Sequence, residues 1–233
     1  MTKPTITAYD WVPPFAQGQV RDLRVRWALE EVGQPYDVLY LSQGEQKEPP
    51  HRARQPFGQV PTYEDGDVLL FESGAIVLHI AQQSGGLLPV DPAARARAQE
   101  WMFAALNSVE PAIMDLSFVT IFEADKPWSE MRRPAVEERI HGRLKDLSAR
   151  LGDRQWLDGD TFTAGDLLMV SVLRILIGAG FVETYDNLTA YVTRGIARPA
   201  FHKALAAQMA GFTGDAPAWF ADWAEKQKQG ETA

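Results

Sequence analysis

Gln55-Pro56-Phe57-Gly58-Gln59-Val60-Pro61, followed by Thr62-Tyr63-Glu64-Asp65-Gly66-Asp67-Val68-Leu69-Leu70-Phe71 and then Glu72-Ser73-Gly74-Ala75-Ile76, decides the fold. Asp65-Gly66 lies between two apolar runs, residues 60–63 and 68–71. That is a hairpin signal, because glycine takes the positive φ of a tight turn without a Cβ clash. Residues 73–83 follow as a helix, with Ile76, Val77 and Ile80 spaced for one apolar face. Pro61 reads either as an edge-strand proline or as a cis-proline opening a strand, and the second leaves the Val60 backbone open to a ligand. Ser73 reads as a helix N-cap. The same helix start, with its N–H groups and a hydroxyl, also suits a carboxylate. Glu72 beside it can take an ammonium group, so the pair suits the α-amino acid end of a ligand.

Upstream, residues 6–9 are a short strand candidate and residues 36–41 a second one. Between them, residues 17–32 read as a helix with Val20, Leu23 and Trp27 on one broad face and Gly33 as its stop. The order β-α-β, then β-β-α, predicts an α+β fold, with a four-stranded mixed sheet and packed helices over residues 1–84. Gly85, Gly86, Pro89 and Pro92 make residues 85–92 a linker. Residues 93–233 predict an all-α domain. Their helical periodicity runs over 93–122, 134–151, 164–179, 185–196 and 199–209, and a terminal segment carries Trp219, Phe220 and Trp223. Thr163 and Asp166 have the spacing of a capping box, with Asp in place of the usual Glu.

Composition narrows the chemistry. The 233 residues contain no Cys, which excludes thiolate nucleophiles, disulfides, zinc-thiolate sites and iron–sulfur clusters. The net charge of −8, with basic residues scattered, argues against nucleic acid as a partner. No unbroken apolar run reaches about 18 residues, and the first residues lack the apolar core of a signal peptide. The expectation is a soluble cytoplasmic protein that does not engage a membrane. There is no Gly-Lys pair for a phosphate loop and no GxGxxG after a strand, and Phe71 stands where a GxSxG elbow needs its first Gly. His51, His79, His141 and His202 show no metal-ligand spacing, so neither a metal nor a cofactor is expected. Trp101, Met102 and Phe103 read as helix core.

QPFGQVP and DGDVLLFESGAI together resemble the glutathione-binding half of the cytosolic glutathione S-transferases. Gly44-Glu45-Gln46-Lys47 is similar to the GEHK segment of the phi type, with Gln46 in place of His. Arg24-Val25-Arg26-Trp27-Ala28-Leu29-Glu30-Glu31-Val32-Gly33 is similar to the family's first helix, and Thr163-x-x-Asp166 to the capping box of its buried helix. The resemblance implies a thioredoxin-like domain followed by a helical domain, and a homodimer. Val60, before Pro61, would pair its backbone with the cysteinyl part of glutathione. Glu72 and Ser73 would hold the γ-glutamyl end, and Gln46, Lys47 and Gln59 the glycyl carboxylate. An added strand held by backbone pairing is an established way to bind a peptide.

One departure concerns the sulfur. A thiol is a weak nucleophile until it becomes a thiolate, and the family stabilises that anion with a hydroxyl or a Cys at the start of the first helix. Here alignment through the first helix puts Gln19 at that place, and no Ser precedes Ser42. Tyr9, the Gln19 amide and the backbone N–H groups of the helix start remain as donors, with Arg21 able to add positive charge. The expected activity is conjugation of glutathione, a co-substrate, to small apolar electrophiles, as in detoxification. The electrophile pocket is expected between the domains, lined by Trp11, Phe15, Trp101, Phe103 or Phe118. A glutathione-dependent reductase, peroxidase or dehalogenase, and a non-catalytic glutathione-binding module, are the alternatives.

Overall fold

The computed structural model describes residues 3–230. Strands β1 (Thr5–Tyr9), β2 (Asp37–Leu41), β3 (Thr62–Asp65) and β4 (Val68–Phe71) form one sheet in the order β2-β1-β3-β4. β1 is parallel to β2 and antiparallel to β3, and β3 is antiparallel to β4. A parallel neighbour requires a crossover, which α1 (Asp22–Glu31) supplies. The β3–β4 hairpin closes at Asp65-Gly66, with Gly66 at φ 58°. α3 (Ser73–Gln83) packs on α1. Ile6 and Ala8 of β1, Val25, Trp27, Ala28 and Leu29 of α1, and Ile76, Val77 and Ile80 of α3 are exposed by 2% or less. Each of the larger aliphatic side chains contributes about 1.5–3 kcal/mol on burial, so this core fixes the end of the sheet where the candidate site stands.

Three boundaries differ from the sequence reading. α1 begins at Asp22 rather than at residue 17, because Pro14–Ala16 forms a 3-10 turn, Gly18 sits at φ 75° and the Gln19 N–H donates to the Ala16 carbonyl (2.9 Å). A short α2 (Pro49–Arg52) is new, since four residues carry no readable period. Ser73 is the first helical residue and not the N-cap. Glu72 holds the cap position with φ 69° and ψ 114°, and no side chain caps the turn.

Packing divides the chain into two compact units, Met1–Leu87 with Pro199–Ala233, and Leu88–Arg198. α9 (Pro199–Ala210) and α10 (Ala218–Gly230) therefore belong with the sheet, not with the helices that precede them in sequence. Phe201 of α9 meets Trp27 of α1 edge-on, with ring centroids 5.0 Å apart. Gln208 donates to the Val20 carbonyl (3.1 Å) and to the Asp22 carboxylate (2.6 Å). The Gly214 N–H donates to the Asp10 carbonyl (2.9 Å).

The second unit is helical. α4 (Pro92–Phe103) runs through a π turn (Ala104–Val109) into α5 (Glu110–Ser117) and a second π turn (Phe118–Phe122). Pro111 explains the first widening, because it has no N–H for the Asn107 carbonyl and its ring would strike that group in an α turn. This 31-residue run is long and apolar enough to cross a membrane by length and composition, with one third of its most apolar stretch buried. The search for an unbroken apolar run passes over it, because charged residues such as Glu110 and Asp115 interrupt it. α6 (Pro127–Leu151) starts before the expected Pro134, which lies inside it, and Pro127 occupies the opening turn. All ten residues of α7 (Ala164–Leu173) are buried, and α8 (Asp186–Ile196) packs on it. The capping box forms: the Thr163 N–H and hydroxyl, the Leu157 N–H and the Tyr191 hydroxyl all donate to Asp166. Burial still raises the Asp166 carboxyl above its ordinary range, against those donors.

Candidate functional site

The Val60–Pro61 peptide bond is cis, as the second reading of Pro61 has it. β3 starts one residue later and pairs Thr62 with Phe71, so the next step of the register sets Pro61 opposite Glu72. The opening of β3 and the start of α3 are therefore neighbours. Val60 lies outside the ladder, and its N–H and C=O make no hydrogen bond among the described residues. Val60 extends the inner strand β3 beyond its paired residues, and unpaired extended backbone is where a peptide can add itself.

The loop leading to this edge is held by side chains from the preceding turns. Arg52 donates to the Pro56 carbonyl, Lys47 to those of Phe57 (3.4 Å) and Gly58 (3.2 Å), and the His51 Nε2 to that of Gln59 (2.7 Å). The buried Gln55 Oε1 accepts from the N–H groups of Phe57 (2.6 Å) and Gln59 (3.3 Å). Gly58 is at φ 63°, and a Cβ there would stand 2.7 Å from the Gln46 carbonyl and 2.9 Å from the Lys47 Cδ. Glycine is required on both counts.

Charge is arranged around the edge. Lys47 touches only carbonyls and pairs with no carboxylate among the described residues. Gln46 turns its amide oxygen back to the Gly44 N–H (2.7 Å), which leaves its NH2 as the outward donor. Glu72 is exposed, at a positive φ that side chains other than glycine rarely adopt. Its carboxylate has no ion-pair or hydrogen-bond partner among the described residues. Backbone strain kept at an unpaired acid is a mark of a ligand contact. Ser73 is buried, and its hydroxyl accepts from Arg24 (3.3 Å), itself 4% exposed. A buried guanidinium thus backs the N-terminus of α3, which already favours anions. All seven residues expected to hold glutathione (Gln46, Lys47, Gln59, Val60, Pro61, Glu72, Ser73) lie on this one unit, around the β3–α3 corner.

The expected sulfur end is built differently. Tyr9 closes β1 beside Leu41, and burial raises its phenol to about 12. It therefore stays a hydroxyl, a hydrogen-bond donor, throughout the neutral range. Gln19 is exposed and lies ahead of α1 rather than at its start, and its N–H is already used inside the loop. The first turn of α1 holds a buried carboxylate, Asp22, whose Oδ2 accepts from Arg26 (2.7 Å). Burial pushes the Asp22 carboxyl up, against the pull of Arg26 and Gln208.

Of the five aromatics expected at an electrophile pocket, Trp11 and Phe15 belong to the sheet unit and Trp101, Phe103 and Phe118 to the helical unit. Trp11 meets Phe220 (centroids 5.0 Å) and Trp219 (6.2 Å) of α10, and Phe15 meets Trp223 (5.6 Å). Trp101 lies under the Arg150 guanidinium, with its Cβ against Gly165 of α7, and serves packing. Phe103 and Phe118 are exposed, and Phe118 packs on Phe122. Among the described residues no group of His, Asp or Glu could hold a metal ion. The supporting roles of His51 and Arg24, and of Gln55 and Gly58 inside the quoted motif, escape the sequence reading. Only the short spacing of His51 and Gln55 before Gln59 could have hinted at them.

Comparisons with known proteins give the family and the fold. The family model for the glutathione S-transferase N-terminal domain matches residues 4–82, and that for the C-terminal domain residues 109–199. Glutathione S-transferase 4 of Zea mays is 30% identical over 218 residues, covering 87% of this chain and 93% of that protein. The structure of poplar glutathione transferase F1 is 25% identical with a TM-score of 0.78, over 90% of this chain and all of that one (100%). A Burkholderia graminis glutathione transferase, solved with two glutathione molecules per subunit, is 25% identical with a TM-score of 0.78, over 87% of each chain.

Proposed function

We propose that this chain, which belongs to the glutathione S-transferase family, conjugates glutathione to small apolar electrophiles through a bound thiolate. The observation that carries the reading is the unpaired Val60 backbone, flanked by Glu72 and Lys47, an acid and a base that no other charge neutralises. Glutathione has a charge for each. Its γ-glutamyl ammonium goes to Glu72, and the carboxylate beside that ammonium to Ser73 and the start of α3. Its cysteinyl residue pairs with the Val60 N–H and C=O next to Pro61. Its glycyl carboxylate goes to Lys47, with Gln46 and Gln59 donating. This is the phi-like assignment of the glutathione end.

The thiolate is assigned to the Tyr9 hydroxyl and the Gln19 amide. Tyr9 is suited because its raised pKa keeps the proton that a donor needs. A hydrogen bond to a charged acceptor is worth about 1.5–3 kcal/mol, enough to lower a thiol by one to two pKa units. Within the sheet unit, Trp11 and Phe15 offer apolar surface for the electrophile. A homodimer is part of the proposal; Phe57, 61% exposed and edge-on to Phe71, supplies apolar surface for it. Light scattering checks it, and a mass of 26.0 kDa at micromolar concentration refutes it.

A second reading follows from the Burkholderia graminis relative, which holds two glutathione molecules. In it, a bound glutathione thiolate attacks the glutathione sulfur of a mixed disulfide, giving glutathione disulfide and releasing the other thiol. One experiment separates the readings. Calorimetry with glutathione is expected to show one binding event with thiolate absorbance near neutral pH. Turnover of an apolar electrophile supports conjugation, and turnover of a mixed disulfide alone supports the second reading. Absence of a thiolate in the complex removes both.

A further inference from the structure

We infer that His51 is a positioning residue that aims the Val60 N–H at the ligand, an assignment that rests on the glutathione-binding reading of this edge. His51 is 2% exposed and stands in α2, away from the ligand edge in sequence. Its Nε2 lies 2.7 Å from the Gln59 carbonyl oxygen. A carbonyl only accepts, so Nε2 carries the hydrogen and donates. Its Nδ1 is buried with no hydrogen-bond partner among the described residues, so this ring makes one side-chain hydrogen bond, and that bond goes to Gln59.

The Gln59 carbonyl and the Val60 N–H belong to the same peptide unit. That unit is planar, so a donor that fixes the carbonyl direction also fixes the direction of the N–H on its opposite side. A hydrogen bond accepted at the carbonyl also polarises the amide and makes its N–H a stronger donor. The Val60 N–H is the group left unpaired. The neighbouring peptide on the N-terminal side is restrained separately, by Gln55 at the Gln59 N–H and Lys47 at the Gly58 carbonyl. His51 therefore controls the last free orientation before Pro61. The benefit to binding is preorganisation: glutathione meets an N–H already aimed, and no loop has to be ordered on binding.

The test compares His51→Leu, which removes the donor, with His51→Gln, whose amide nitrogen reaches the position of Nε2. His51→Leu is expected to weaken glutathione binding by about 10-fold in calorimetry, the loss of one buried hydrogen bond. It should raise the KM for glutathione while leaving kcat and the KM for the electrophile unchanged. His51→Gln is expected to recover binding to within about 3-fold of wild type. Equal loss in both variants makes the role one of packing and overturns the assignment. Wild-type affinity in His51→Leu overturns it as well, while leaving the glutathione reading in place. A wild-type protein that fails to bind glutathione overturns the reading itself. If His51→Leu does not fold, His51→Asn replaces it, because its amide matches Nδ1 and cannot reach Gln59. His51→Asn weaker than His51→Gln then supports the assignment, and the two variants binding equally overturns it.

Discussion

Around Val60, each carbonyl of residues 56–59 is held by a side chain lying between residues 47 and 52. Around Gln19 a local turn, closed by the Gln19 N–H on the Ala16 carbonyl, is joined by restraints from residues far along the chain. Gln208 holds the Val20 carbonyl across 188 residues of sequence, Gly214 holds Asp10, and α10 packs on Trp11 and Phe15. The region around Val60 is thus a local construction with unpaired charges of both signs. The region around Gln19 has long-range restraints and an acid, Asp22, already seated in the first turn of α1. On the proposed assignment, the body of glutathione would be recognised by a short, self-contained motif, while the chemistry at the sulfur would depend on remote packing.

The comparison breaks most severely at Gly58. Gly58→Val adds a β-branched side chain at φ 63°, into a 2.7 Å contact with the Gln46 carbonyl. It is expected to cost about 3 kcal/mol or more in urea unfolding and to abolish glutathione binding. Gly33→Ala is the control, since Gly33 has φ 68° but open space around it. About 1 kcal/mol and no change in binding is expected there. Similar losses in both would mean that the 47–59 clamp has no special stiffness.

Glu72→Ala tests the unpaired acid. Loss of a charge-assisted hydrogen bond is expected to weaken glutathione binding by about 1–3 kcal/mol in calorimetry, with folding stability unchanged, since the carboxylate touches nothing in the free protein. Unchanged affinity would remove Glu72 from the site.

At the sulfur end, Tyr9→Phe is expected to lower kcat/KM by about 10–100-fold, and Gln19→Ala by less, because Gln19 is exposed and its contact with any ligand is screened by water. If both variants match wild type while the complex still shows thiolate absorbance, the backbone N–H groups ahead of α1 are the donors. The sulfur end would then be as much a backbone site as the Val60 end.

The last effect is on pH and appears only in alkali. An unfolded tyrosine ionises near the ordinary 10.0, and folded Tyr9 at about 12. Between those values the unfolded chain has released the proton and the folded one has kept it, so this contribution to stability is complete below pH 10 and lost as pH rises toward 12. Its size is about 3 kcal/mol. Alkaline unfolding of Tyr9→Phe should be flatter over that window, and an identical slope would show that burial does not hold the Tyr9 proton.

What the sequence reveals follows the same division. The hairpin and the helix after it are legible because turn chemistry and a short apolar period mark them directly, and the seven residues expected at the glutathione end fall in and around that stretch. Ser73 shows the limit of such reading. It has the composition of an N-cap, yet Glu72 takes that place at a positive φ, which no propensity anticipates for Glu. The early start assigned to α1 fails because Val20 and Leu23 continue the apolar period while Gly18 and the turn to Ala16 interrupt the backbone. The placement of α9 with the sheet was not legible at all, since an apolar helix face does not name its partner.

The return of α9 to α1 has a consequence for biosynthesis. The N-terminal unit includes residues made after the helical unit, so it cannot finish folding as it leaves the ribosome. Until Phe201 and Gln208 emerge, Trp27 lacks its aromatic neighbour and the Asp22–Arg26 pair lacks a polar partner, so a face that is fully covered in the finished protein is open to solvent. Translation of the intervening helical unit sets the length of that exposure, at about 5–20 residues per second. The nascent chain is therefore most vulnerable to chaperone capture and aggregation after its binding motif has been synthesised, and the last helices close that interval.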